Sequence, residues 1–221
     1  MVRESFGRHI KELEQEVIGM SEMVAVEIGR SIEALRDRST EEAKKIIDAD
    51  NLVNKKRWTI EDKCINVIAR QQPVATDLRE IIAVLSIITD LERMGDYAKG
   101  IAKVVLLLGT EPLVKPLDDI PQMAQKAASM LKKSIEAFIA RDAKAAEAIC
   151  SEDDYVDRLY DRVYRDLLDC MIKDPKSITK ATYLIWVAHN LERIADRTTN
   201  ICERIVFLVT GTMREINVSI Y

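Results

Sequence analysis

The sequence predicts an all-α protein made of two tandem three-helix bundles related by an internal repeat. Three observations carry that prediction. Apolar residues recur at alternating three- and four-residue steps over long stretches, the period of a helix buried along one face. Punctuation is sparse: the 221 residues include seven glycines and five prolines, and 48% apolar with 32% charged residues suits amphipathic helices. Finally, Asp90-Leu91-Glu92-Arg93-Met94-Gly95-Asp96 returns one hundred residues later as Asn190-Leu191-Glu192-Arg193-Ile194-Ala195-Asp196. Residues 90–110 and 190–210 share seven identities in that register, so a unit of about 100 residues is used twice. The first bundle is placed at 1–110 and the second at 119–221.

The elements follow in order. From Arg3 to about Arg38, Ile10, Leu13, Val17, Met20, Val24, Ile28, Ile32 and Leu35 form one apolar stripe. Ser39-Thr40-Glu41-Glu42 has the S-x-x-E form of a capping box and starts a second helix, which runs to about Gln72 and stops at Pro73. The third helix spans about Val74 to Leu108. Glu92 and Asp96 sit one position off its stripe, roughly 100° around the helix, which puts them at the margin of the buried face. Gly95 lies on the stripe, where close approach of a neighbouring backbone is its expected reason. Gly109 to about Pro121 is the linker. A fourth helix covers about Ile120 to Arg141, Asp142 caps a fifth that runs to about Lys173, and Asp174-Pro175 breaks the chain where Pro73 broke the first half. The sixth helix ends near Val209 before Gly211, and a short tail follows.

Charge and targeting signals narrow the function. A net charge of −4 with no continuous lysine and arginine stripe argues against nucleic acid as a partner. Neither a signal-peptide core nor an apolar run near the roughly 20 residues of a membrane span is present, so a cytoplasmic location is expected, with membrane contact only through partners. Cys64, Cys150, Cys170 and Cys202 show no zinc spacing and read as free thiols among apolar residues.

The chemistry resides in carboxylates. Glu92 and Asp96 project from one helical face, as do Glu192 and Asp196, and like charges four residues apart destabilise a helix by about 0.2–0.5 kcal/mol unless something compensates. The ordinary compensator is the neighbouring arginine, Arg93 or Arg193, on a solvated face. The alternative is a bound cation, for which carboxylate oxygens are natural ligands. The preceding helix of each half offers further oxygens near its apolar rows: Asp50 and Asn54 in the first half, Asp153 and Asp157 in the second. Six to eight oxygens across two helices suit Mg, Ca, Mn or Fe better than a sulphur-rich zinc site would.

Gln72-Pro73-Val74-Ala75-x-Asp77-Leu78-Arg79, the D-L-E-R-M-G-D-Y-A run at 90–98 and L-E-R-I-A-D-R-T-T-N-I at 191–201 together resemble the PhoU family over essentially the whole chain. The resemblance implies tandem three-helix bundles carrying multinuclear metal clusters, iron or zinc, on E/D-x-x-x-D motifs. It assigns metal roles to Asp50, Glu92, Asp96, Asp153, Asp157, Glu192 and Asp196. Asn54 stands where the family pattern has an acid, which implies weaker or fewer ions in the first half. Arg93 and Arg193 would orient the ligands. The resemblance also implies a non-enzymatic negative regulator of high-affinity phosphate uptake and phosphate-starvation signalling. Its partners would be the ATP-binding subunit of a phosphate ABC transporter and a membrane sensor histidine kinase. Homodimerisation stays open.

Two other readings compete. A carboxylate-bridged di-metal enzyme would use Glu-x-x-His ligand pairs, whereas this chain has only His9 and His189, and His189 precedes Glu192 in the reverse order. A metal-free helical scaffold would need none of the acids. No glycine-rich phosphate loop or G-x-S-x-G elbow is present.

Overall fold

The computed structural model describes residues 2–216, with side chains from residue 6 onward. Among the described residues the chain forms seven α-helices and no strand: α1 (Val2–Asp37), α2 (Thr40–Gln71), α3 (Thr76–Leu108), α4 (Ile120–Ala140), α5 (Ala143–Cys150), α6 (Asp153–Lys173) and α7 (Ile178–Thr210), the last preceded by a 3₁₀ turn at Pro175–Ser177. α1, α2 and α3 pack together as one three-helix half, and α4, the broken α5/α6 pair and α7 as the other. Every residue of the predicted α1 stripe from Ile10 to Leu35 is buried. Cys64, Cys150 and Cys202 are buried thiols, and Cys170 is partly exposed.

Local chemistry sets most of the ends. Ser39 caps α2 by accepting the Glu42 amide hydrogen at 3.2 Å. The reciprocal half of the box does not form, because the Glu42 carboxylate turns to Arg30 at 2.6 Å, and the Ser39 amide donates to the Ala34 carbonyl instead. Asp142 caps α5 through the Ala145 amide at 3.0 Å. Gln72 closes α2 in the left-handed region, and Gly109 and Gly211 end α3 and α7 at positive φ.

The expected continuous helix from Asp142 to Lys173 is in fact two. The Glu152 amide donates to the Ile149 carbonyl and the Tyr155 amide to the Glu152 carbonyl, so the chain makes a tight turn at Ser151 and Glu152 before α6 begins. Neither proline nor glycine marks the spot. The Glu152 side chain is instead held by Lys126 at 2.6 Å and Lys133 at 2.8 Å, both on α4. The break starts a fresh helix at Asp153-Asp154, where two acids in the first turn meet the positive end of the helix dipole.

The two halves join most extensively along α3 and α7. Arg79 lies over the Phe207 ring and reaches the space beside Gly211, the Asp90 carboxylate accepts from Arg197 and Asn200, and Gly100 makes room for the Asn190 side chain. Early α3 residues thus meet late α7 residues and the reverse, so the helices run antiparallel and cross near Gly95 and Ala195. This crossing places the two L-E-R-x-x-D segments in the middle of the molecule.

Candidate functional site

Each acid pair of the sequence meets its partner pair on the neighbouring helix, but the two halves surround them differently. In the first half Asp50, on α2, is only 1% exposed. Its Oδ2 accepts from Lys99 Nζ at 2.7 Å and from Asn54 Nδ2 at 3.1 Å. Lys99 lies three residues beyond Asp96 on α3, and the hydrogen bond to Asp50 pushes its pKa up against its own partial burial, with the charges of Asp50, Asp96 and Glu27 adding to the effect. Glu92 Oε1 lies 3.2 Å from Arg57 Nη1 of α2 and Oε2 3.7 Å from Arg93 Nε. Asp96 faces Arg93 at 3.5 Å and is 39% exposed.

A further acid joins this set from α1. Glu27, 4% exposed, brings Oε2 close to Asp50 Oδ1 above Gly95: a Cβ added there would stand 3.5 Å from the former, 3.7 Å from the latter and 3.4 Å from Val53 Cγ1. Gly95 therefore admits neighbouring side chains, not a neighbouring backbone as expected. Glu27 Oε2 and Asp50 Oδ1 are both shielded from water and take no hydrogen bond. Burial, then the charge of Asp50, pushes the Glu27 carboxyl up to about 7, with Arg30 and Lys99 pulling the other way. Glu27 was legible only as a charge falling three residues after Val24, inside the α1 stripe. Lys99 and Arg57 carried no signal of their part in this set, since each meets its carboxylate there on another helix, Arg57 pairing as well with Glu61 one turn along α2.

In the second half, Asp153 opens α6 and is 3% exposed, with Asp157 one turn later. Glu192 and Asp196 approach from α7. Burial pushes Asp153 up to about 7, and Asp157, Asp196, Glu192 and Asp154 push it further in the same direction. Glu192 rises to about 7 through burial and then Asp196; burial also raises Asp157 and Asp196. Arg193 Nη1 holds Asp196 Oδ2 at 2.5 Å. His189 Nδ1 stands 3.4 Å from Glu192 Oε2, but burial, then Arg193, pushes its imidazole down, away from the charged form.

The two sets differ in their fit to a metal ion. Among the described residues no three His, Cys, Asp or Glu side chains converge closely enough to grip one ion, so a set that held one would turn its carboxylates together. The second set suits that chemically. Its four acids are all-oxygen donors whose ionisation is opposed by burial and by one another, and a divalent cation relieves both where protons otherwise must. The first set fits less well, because Asn54 contributes no charge and Lys99 and Arg57 already neutralise Asp50 and Glu92.

Comparison with known proteins covers the same two halves. A family model described as the PhoU domain matches residues 17–105 and again 120–205. A phosphate-specific transport system accessory protein PhoU homolog from Clostridium acetobutylicum is 38% identical over 218 residues, spanning 98% of this chain and all of that protein. One from Streptococcus pneumoniae serotype 4 is 35% identical over 216 residues, again 98% of this chain and all of the relative. The crystal structure of the phosphate transport system regulatory protein PhoU from Streptococcus pneumoniae superposes with a TM-score of 0.88 at 34% identity, covering 95% of this chain and 99% of that one. PhoU from Pseudomonas aeruginosa also gives 0.88, at 30% identity over 94% of this chain.

Proposed function

The chain belongs to the PhoU family, and from that premise we propose that it is a non-enzymatic accessory protein that restrains a phosphate-specific transport system. The observation that supports this reading is the match, over 98% of this chain and all of each relative, to proteins named as accessory to a phosphate-specific transport system, which takes in both bundles. In this reading the protein works in the cytoplasm on the ATP-binding subunit of a phosphate ABC transporter and on a sensor histidine kinase. Among the described residues no helix is long and apolar enough to cross a membrane, consistent with reaching the membrane through those partners.

The second carboxylate set is the part of the surface that we assign to metal. A bound cation would supply positive charge at the margin of the α6/α7 face, where the four acids gather beside Arg158, His189, Arg193 and Arg197. Asp153, Asp157, Glu192 and Asp196 would hold it, and Arg193 would fix Asp196 against the pull of its neighbours. Iron, zinc and manganese are the metals to look for.

Deleting the gene in a host that carries it should raise phosphate uptake in phosphate-rich medium, and the parent gene should restore restraint. Unchanged uptake after deletion rejects the regulatory role. Complementation with Glu192→Gln/Asp196→Asn, together with elemental mass spectrometry of both proteins purified without a tag, tests the metal. The variant should carry clearly less metal and restrain uptake less well; full restraint from a variant stripped of metal removes metal from the mechanism.

A further inference from the structure

We propose that Lys99 is a tethered counter-cation that fills, in the first-half carboxylate set, the place a metal ion takes in the second, so that this chain loads metal on the α6/α7 set alone. The proposal rests on the reading of the second set as a metal site.

The repeat itself makes the comparison. In the register that aligns the two L-E-R segments, Lys99 corresponds to Thr199. Counting seven residues onward from Asp50 and from Asp153 pairs Arg57 with Tyr160, and counting four pairs Asn54 with Asp157. Each change has one direction: a neutral or cationic group in the first half stands where the second half has a neutral group or an acid. Their positions in space carry the same asymmetry. Lys99 Nζ spans from α3 to Asp50 on α2 at 2.7 Å, which is the bridge between helices that an ion shared by Asp50 and Asp96 would make. Arg57 makes a second bridge to Glu92 at 3.2 Å. In the second half Thr199 turns back to its own helix, donating to the Asp196 carbonyl at 2.8 Å, and Tyr160 packs on the His189 ring at 6.2 Å. Neither neutralises a carboxylate.

The energetics follow from burial. Asp50 is shut away from water, so its charge needs a partner at all times. A divalent ion arriving at the first set must expel an ammonium already bound there, and the like charges of Lys99, Arg57 and Arg93 remain close by. At the second set Arg193 holds Asp196, and Arg158 and Arg197 lie near Asp157 and Asp196, but a threonine stands at the position of Lys99, so that position offers no ammonium to expel.

Mn²⁺ is the probe, because an all-oxygen set suits it and its free form can be counted by electron paramagnetic resonance. Bound Mn²⁺ per chain is measured for the parent, for Glu192→Gln/Asp196→Asn, for Asp96→Asn and for Asn54→Asp/Lys99→Thr, each checked for helix content by circular dichroism. The parent should bind Mn²⁺, Glu192→Gln/Asp196→Asn should lose about tenfold or more in affinity, and Asp96→Asn should bind as the parent does. Asn54→Asp/Lys99→Thr should gain further Mn²⁺ that survives when Glu192→Gln/Asp196→Asn is added. Should Asp96→Asn lose Mn²⁺ as the α7 variant does, the first set is a metal site and the proposal fails while the metal reading stands. A folded Asn54→Asp/Lys99→Thr protein with no added Mn²⁺ removes Lys99 as the occupant. A parent that binds no Mn²⁺ overturns the proposal and the metal reading together. Asp96 is half-exposed, so its variant decides the matter even where the buried pair of substitutions prevents folding.

Discussion

Glu27 lies in the middle of an apolar stripe, faces a second buried carboxylate and owes its protonation to both facts. Its folded-state pKa, about 7, is above the 4.5 of an ordinary glutamate. Between these values the unfolded chain releases the proton while the folded one keeps it, so this contribution to stability is complete below about pH 4.5 and is lost as the pH rises through 7. Asp153 and Glu192 titrate in the same sense. At 1.36 kcal/mol per unit, ionising Glu27 in place costs about 3 kcal/mol. Glu27→Gln keeps the shape, removes the ionisation and offers an amide hydrogen to the orphaned Asp50 Oδ1. It should therefore exceed the parent in stability by about 2–3 kcal/mol at pH 8 and match it closely at pH 5. Urea denaturation in EDTA at both pH values reads this out; a gain of equal size at the two would mean that packing, not charge, is responsible. This residue also marks the limit of legibility. The acid pairs could be read because both members of each sit four residues apart on one helix and recur. Glu27 is a single charge, and Lys99 and Arg57 meet Asp50 and Glu92 across helices, a relation that no spacing within one helix encodes.

Element boundaries were legible wherever a local group sets them. Pro73, Asp174-Pro175, Ser39, Asp142, Gly109 and Gly211 each act on backbone within a few residues, and each lies at an observed end. The turn at Ser151 and Glu152 escaped because its cause is tertiary: two α4 lysines hold the Glu152 carboxylate, and the local sequence is compatible with unbroken helix. The capping box at Ser39 was half right for a related reason, since Arg30 of α1 competes for Glu42 and wins. α5, eight residues long, depends most on its ends, because so short a helix forms few internal hydrogen bonds. Asp142→Ala removes the bond to the Ala145 amide and should cost about 1 kcal/mol of stability. Asp142→Ser, which can still accept that hydrogen, should recover most of it. Urea midpoints of the three proteins decide the matter, and equal loss in the serine variant would show that the Asp142 charge, not the cap, was responsible.

The antiparallel seam of α3 against α7 is the most extensive join between the repeats, and α1 against α4 adds a second, where Arg141 pairs with Glu14 and Glu80. The tandem arrangement was visible from the repeated segment, but the seam was not, because each copy's sequence describes its own bundle and says nothing of how two copies meet. A largely buried polar contact of the seam is Asp90. Its Oδ1 accepts from Arg197 at 3.4 Å and Asn200 at 3.5 Å, and burial raises its pKa despite both donors. Asp90→Ala takes its ion-pair partner from the Arg197 guanidinium, whose Nε is already shielded and without a hydrogen bond, leaves it only the more distant charge of Asp196, and should cost about 2 kcal/mol. If the seam couples the halves, that loss must appear in both. The chain provides a probe for each: its two tryptophans are Trp58 on α2 and Trp186 on α7, so Trp58→Phe reports the second half by fluorescence and Trp186→Phe the first. The two unfolding curves should coincide, and Asp90→Ala should shift them by the same amount. Separate midpoints, or a shift confined to the Trp58 signal, would mean that the bundles fold as independent units and that coupling between the two carboxylate sets cannot pass through α3 and α7.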